Sequence, residues 1–353
     1  MFKKSTFIKV ISASLLSLML LSGCSYKESK EAEEKDNTPL TKTEFYMGTV
    51  ITISLYDHKD EKILDEAFER VKSIEAELSI NAEGTEIDKI NEAAGKEAIK
   101  VSEDAFTNIK KGLEYSKETE GTFDITIGPL VKLWSIGLPE AKVPTEEEIK
   151  AAISHIGYDK VVLDEDKRTV FLQEEGMMLD LGSIAKGYTA DVIGELLKSH
   201  GVENALIDLG GNILALGENP EGRPWKIGVQ NPEDTRGEII GYVSIENKSV
   251  VTSGIYERFL EQDGKKYHHL LNPFTGYPYD NELMGVTIIS DESIDGDALS
   301  TSVFSKGLQG GIEFIETIED VDAIFVTKEK NIYMTSGLKD NFVITNNSFT
   351  IAE

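Results

Sequence analysis

Asp297 and Thr301 stand four residues apart in the stretch Asp295-Gly296-Asp297-Ala298-Leu299-Ser300-Thr301. On a helix such a pair lies one above the other on one face. A carboxylate and a hydroxyl are hard-oxygen ligands suited to Mg2+, which takes few protein ligands and fills its shell with water or phosphate oxygens. A helix N-cap at Asp295 or Asp297 is the competing reading of the same residues. A second stretch, Leu179-Asp180-Leu181-Gly182-Ser183-Ile184-Ala185-Lys186-Gly187-Tyr188, reads as a strand ending at a carboxylate, a glycine turn and a helix start. The free N–H groups of a helix start attract anions, and Lys186 adds charge where helix stability alone favours an acid. An ordinary strand-to-helix turn with a surface lysine fits equally well.

Thr122, Asp124 and Thr126 alternate in Gly121-Thr122-Phe123-Asp124-Ile125-Thr126. If extended, they share one face, either a ligand-binding face or the polar outside of an edge strand. Asp208-Leu209-Gly210-Gly211-Asn212 allows close backbone approach but lacks the full dinucleotide fingerprint of a Rossmann unit. In Tyr267-His268-His269-Leu270-Leu271-Asn272-Pro273-Phe274-Thr275-Gly276, His269 and Thr275 could meet a phosphate. Adjacent histidines on a strand point to opposite faces, and no cysteine or third histidine lies nearby, so zinc is rejected. One of the two histidines reads as plain surface.

These stretches need a scaffold. Phe45 to Tyr56 reads as strand or hairpin, and structure is expected to begin near Thr43. Apolar residues recur at helical spacing from Glu61 to Leu78 and from Ser102 to Lys117. Thr145 and Glu148 form a capping-box pattern, with Gly157 placed to close that helix. A hairpin is expected over Val161–Leu163 and Thr169–Leu172, a strand over Met178–Leu181, a helix from Ile184 to about Ser199 and a strand over Ala205–Leu209. Strands dominate up to Ile289, a helix starts near Ser293, and short strands close the chain. Strands joined by short turns, with few βαβ units, predict an α+β architecture with largely antiparallel sheets and flanking helices.

The formal net charge is −27, so a nucleic acid partner is excluded, and a phosphorylated ligand would need a local positive field. Lys3, Lys4 and Lys9 precede an apolar run from Val10 to Leu21, too short for an ordinary membrane span, and then Leu21-Ser22-Gly23-Cys24. This resembles a bacterial lipoprotein signal, which makes 1–23 a signal peptide and Cys24, the chain's only cysteine, a lipidation site. Loss of 1–23 removes three lysines and leaves a net charge of −30. Residues 24–42 are expected to be a lipidated tether and 43–353 the folded body, held at the extracytoplasmic face of the cell membrane by the lipid.

Taken together and in order, these motifs resemble the ApbE family, FAD:protein FMN transferases. The matching pieces are Met47-Gly48-Thr49, GTFDITIGPLV at 121–131, LDLGSIAKGY at 179–188, LGGN at 209–212, Pro224-Trp225-Lys226-Ile227-Gly228, TSGIYER at 252–258, HLLNPFTG at 269–276 and DALST at 297–301. They span roughly residues 45 to 305. The resemblance implies a T-fold-like body. It implies that Met47, Thr122, Phe123, Asp124 and Asp180 line an FAD site, with Lys186, His269 and Thr275 near the flavin or its diphosphate. It places Mg2+ on the Ser183 carbonyl and the side chains of Asp297 and Thr301. The implied reaction moves FMN from FAD onto a Thr or Ser hydroxyl of an acceptor flavoprotein in an extracytoplasmic electron-transfer system, releasing AMP. Asp180 or His269 could take the hydroxyl proton, and Lys186 would add charge at the phosphate. Two positions depart from the family pattern. Asn272 stands where an aspartate is usual, which removes a carboxylate role. Asn81 stands where many transferases have an aromatic residue that stacks on the substrate, a feature of relatives that hydrolyse FAD to FMN and AMP. A flavin-binding lipoprotein without enzymatic activity is the third reading; it would have no use for the metal pair.

Overall fold

The computed structural model describes residues 37–234 and 237–352. The expected signal peptide, Cys24 and most of the tether lie outside the described residues. Met47 and Gly48, with φ of 52° and 70°, make the two-residue turn of the first hairpin, β1 (Leu40–Tyr46) and β2 (Thr49–Leu55). Both central residues of such a turn need positive φ, which matches the right-handed twist of the strands. The first strand starts three residues before the expected boundary, because Leu40 already pairs with Leu55.

Helices α1 (Glu61–Leu78) and α2 (Glu86–Glu92) follow, then β3 (Ile99–Lys100), α3 (Glu103–Glu118), α4 (Gly128–Trp134) and α5 (Glu146–Ile153). The hairpin β4 (Val161–Asp164) and β5 (Thr169–Leu172) leads to α6 (Ala185–Ser199). Then come β6 (Ala205–Leu209), β7 (Asn212–Leu216), β8 (Trp225–Gln230), β9 (Ile239–Ile245), β10 (Ser249–Gly254), β11 (Phe259–Gln262), β12 (Lys265–His268) and β13 (Leu283–Ser290). The chain ends with α7 (Ser293–Ile315), β14 (Asp322–Thr327), β15 (Asn331–Met334), β16 (Phe342–Ile344) and β17 (Thr350–Ile351).

Nine strands form the main sheet in the order β1-β2-β6-β7-β10-β13-β14-β15-β17, antiparallel except for the last pair. Alternation along the strands sends residues to two different cores. On β10, Val250 joins a core with Trp225, Ile227, Val243 and Phe342 from the small sheet β16-β9-β8, while Val251 meets α7 at Gly296. The opposite face of β2 and β6 buries Ile51, Ile53 and Ile207 against Ile63, Phe68 and Val71 of α1 and Ile193 of α6. This is the expected α+β construction, with sheet on sheet on one side and helices on the other.

The helical periods of α1 and α3 hold, and both helices are capped, by Asp60 through Lys62 N and by Ser102 through Ala105 N. The capping box of Thr145 and Glu148 is formed, but α5 ends at Ser154, three residues before Gly157. Two expected extended segments are not strands. Residues 122–126 are turns, because Asp124 Oδ1 accepts from both the N–H and the hydroxyl of Thr126 at 2.7 Å. Residues 178–181 have a single bridge, Ile127 to Met178, and the Asn91 side chain takes the place of a strand partner. It accepts from Leu179 N at 2.7 Å and donates to Leu179 O at 3.2 Å.

Candidate active site

The bend after Asp180 is fixed from within. Asp180 N donates to Ile125 O, and the Asp180 carboxylate accepts from Gly182 N at 2.7 Å. The chain then enters α6 behind Ile184, a residue with no side-chain cap to offer. The cap comes from α7. Asp297, 3% exposed, accepts from Gly187 N at 3.0 Å and from Lys186 Nζ at 3.0 and 3.2 Å. The lysine that looked misplaced in a first turn therefore neutralises a buried carboxylate. Gly187 is required because any Cβ there would overlap Ser293 O, where the two helices touch.

α6 returns the cap. Asp191 accepts from Ser293 N and Ile294 N, both at 2.8 Å, at the start of α7. Burial pushes the Asp191 carboxyl up to about 7, helped by the charges of Glu292 and Asp295 and opposed by those two N–H groups. Neither Asp295 nor Asp297 caps its own helix. Asp295 turns toward α3, taking the Tyr115 hydroxyl at 2.6 Å and Lys111 Nζ at 2.7 Å. Ser293 Oγ donates to Asn212 Oδ1 at 2.6 Å, which ties the LGGN turn to the same junction.

The facing wall is built at the foot of the β11–β12 ribbon. Arg258 O accepts from His269 N at 3.1 Å and lies 3.2 Å from His269 Nδ1. A carbonyl only accepts, so Nδ1 carries the hydrogen and Nε2 keeps its lone pair. Burial, then the Arg258 charge, hold the His269 ring neutral, pushing it down to about 3; Lys186 acts in the same direction. Burial raises the Asp180 carboxyl, opposed by Gly182 N and the charges of Lys132 and Arg258. Arg258 and Lys132 act on Asp180, Arg258 and Lys186 act on His269, and Lys186 pairs with Asp297, so these six residues group together around a candidate cleft. Three cations there supply the local positive field that the acidic chain needs.

Other expected site residues sit around this cleft. Met47 N donates to Glu75 at 2.5 Å, and its sulfur accepts from Thr189 of α6 at 3.5 Å. Asn81 is exposed and accepts from Lys132 Nζ at 3.2 Å. Thr122 Oγ1 accepts from Ser305 of α7 at 2.9 Å. Phe123 is buried edge-on to Tyr115, and the buried Asp124 accepts from Tyr158 N at 3.1 Å. Both side chains are engaged inside the protein. Thr275 is exposed at the tip of a turn held by Asn272, whose Oδ1 accepts from Phe274 N at 2.8 Å and Thr275 N at 3.2 Å. The Asn272 side chain acts there only as an acceptor, which an amide oxygen serves as well as a carboxylate. His268 is not a surface residue. It is buried beside Phe304, and its Nε2–H donates to Tyr279 O at 2.8 Å.

Ser183 lies half-buried in the bend, and Thr301 half-buried one turn along α7 from Asp297. One carboxylate, one hydroxyl and a turn carbonyl form an all-oxygen donor set. Such a set suits a hard divalent cation by ligand type, and a cation on Asp297 would share or displace Lys186, whose Nζ lies 3.0 and 3.2 Å from the two carboxylate oxygens. A separate surface pocket lies at the far end of α6, lined by Lys198, Gly201, Glu203 and Asn247, and touches none of these residues. Asp191 and Asn91 carry no signal in the sequence, whereas Arg258 belongs to the same cluster of motifs as His269 but has no role assigned to it there.

Known proteins resemble this chain in both sequence and fold. A protein of Klebsiella pneumoniae named FAD:protein FMN transferase is 43% identical over 301 residues, covering 85% of this chain and 93% of that protein. One of the same name from Treponema pallidum is 32% identical, covering 88% and 91%. The crystal structure of an ApbE protein from Thermotoga maritima superimposes with a TM-score of 0.79 at 32% identity, covering 86% and 98%. The flavin transferase ApbE of Vibrio cholerae gives 0.77 at 27% identity, covering 86% and 99%. The ApbE family profile matches residues 47–325, and the chain belongs to the ApbE family.

Proposed function

We propose that this chain is an FAD:protein FMN transferase that requires Mg2+ and moves FMN to a Thr or Ser hydroxyl of an acceptor flavoprotein, releasing AMP. The observation that carries the proposal is the joining of a neutral His269, its Nε2 lone pair free, and the Lys186–Asp297 pair in one cleft. Asp297, Thr301 and the Ser183 carbonyl would hold Mg2+, which supplies charge neutralisation at the diphosphate. The start of α6 and Lys186 attract the anionic substrate. His269 Nε2 takes the proton of the acceptor hydroxyl as its oxygen bonds to the FMN phosphorus. The bond from that phosphorus to the bridging oxygen breaks, and AMP leaves with the electron pair. We assign the base role to His269 because the Asp180 carboxylate is engaged with Gly182 N and its burial favours the protonated form. The approach of an anionic substrate offsets Arg258 and Lys186 and raises the imidazole toward the range where a base is effective.

A second reading, hydrolysis of FAD to FMN and AMP, draws support from Asn81, a small exposed polar residue where a stacking aromatic would exclude water. We also propose that Cys24 is lipidated and anchors the enzyme at the extracytoplasmic face of the membrane; among the described residues no helix is long and apolar enough to cross one. Incubation of the protein with FAD, Mg2+ and an acceptor flavoprotein tests the main proposal. Flavin fluorescence on the denatured acceptor is expected. AMP release without labelling selects hydrolysis, and FAD recovered intact excludes both.

A further inference from the structure

The sequence contains five arginines, and three of the four described ones are paired, Arg70 with Asp104, Arg168 with Glu103 and Arg223 with Glu221. Arg258 is different. Among the described residues its guanidinium makes no hydrogen bond or ion pair, in a chain with 63 acids and 36 bases. The side chain is exposed, yet it is not placed at random. Its guanidinium passes Gly48 at the tip of the first hairpin, where a Cβ would lie 3.7 Å from Nη2, and its methylenes run along Gly137. Its main chain is pinned by two interactions with His269. Its charge acts on both Asp180 and His269. The other two cations of the cleft are occupied, Lys132 with Asn81 and Lys186 with Asp297.

We propose that Arg258 is a further substrate-binding residue, clamping the diphosphate of the dinucleotide from the His269 side of the cleft. The proposal rests on the flavin dinucleotide reading of the site. A guanidinium presents five N–H donors in a planar fork that matches two phosphate oxygens, which a lysine cannot do. The clamp also links binding to chemistry, since phosphate on Arg258 offsets a positive charge that acts on His269.

The test is titration of the full chain with FAD, FMN and riboflavin, followed by flavin fluorescence, in wild type, R258K and R258Q. R258Q is expected to weaken FAD and FMN binding roughly tenfold to a hundredfold while riboflavin binding is unchanged. R258K should recover part of the loss, keeping the charge without the fork. Unchanged FAD affinity in R258Q overturns the clamp. Equal loss for riboflavin also overturns it, because the residue would then be shaping the site. If R258Q does not fold, R258K and the salt dependence of wild-type FAD affinity decide: a lysine with full FAD affinity and no salt dependence rejects the clamp. Should wild type neither label an acceptor nor release AMP while FAD binding still depends on Arg258, the transferase reading falls and the clamp stands. Normal transfer by R258Q at unchanged FAD affinity gives the reverse.

Discussion

The junction of α6 and α7 and the mouth at the foot of β11–β12 hold their charges in opposite ways. At the junction each helix caps the other, Asp297 on Gly187 N and Asp191 on Ser293 N and Ile294 N, and the cation Lys186 is fixed to its carboxylate. At the mouth, backbone and side-chain acceptors fix the frame while the reactive ends stay free. His269 is oriented through Nδ1, the Arg258 head has no partner among the described residues, and Thr275 and Phe274 stand exposed on the Asn272 turn. One wall is preorganised to hold a fixed charge; the other is left free to meet a substrate.

Breaking the junction should have the largest effect. Asp297→Ala removes the Gly187 cap and strands Lys186, so it should cost about 3 kcal/mol of stability and abolish transfer. Denaturant unfolding and a turnover assay check both; a fully active, fully stable variant would remove the distinction between the walls. At the mouth, His269→Gln should lower kcat about 10²- to 10⁴-fold with little change in stability. The acid limb of wild-type kcat should lie at higher pH than that of kcat/KM, because bound anion raises the imidazole; coincident limbs would contradict that coupling.

Asn272→Asp should leave activity and stability close to wild type, since only acceptor oxygens are used. Asn272→Ala should cost about 1–2 kcal/mol, measured by thermal unfolding. The effect at Asp191 is read as a pH dependence of stability. Its folded value of about 7 lies above the usual carboxylate value of 3.8, so the folded state holds the proton more tightly. Wild type therefore loses stability as pH rises from about 4 through 7. Asp191→Asn does not titrate and should gain relative to wild type over that window, with a plateau above it. Paired unfolding curves at pH 5 and pH 8 test the sign.

The two regions also differ in how legible they were. Helical periodicity put Asp297 and Thr301 on one face and placed α1 and α3 almost to the residue, because a 3.6-residue period is a local signal. The Lys186 anomaly was visible in one dimension; its explanation, a partner 111 residues away, was not. The turns at 122–126 and 178–181 were misread as strands because Asn91 and Asp124 side chains replace backbone partners there, and such bonds leave no periodic trace. The sequence leaves open which of the paired histidines is surface, because the burial of His268 depends on Phe304 of α7 and on Tyr279 beyond the Asn272 turn. The motif order carried the family assignment, and the fold supplied the contacts.

The central claim is that Asp297 holds a divalent cation which meets the substrate's diphosphate at the start of α6. Mn2+ in place of Mg2+ makes this visible, since free Mn2+ is counted by its paramagnetic resonance. FAD-loaded wild type should withdraw one Mn2+ from solution, and FAD-loaded Asp297→Asn should withdraw none. Equal uptake by both proteins would contradict the account.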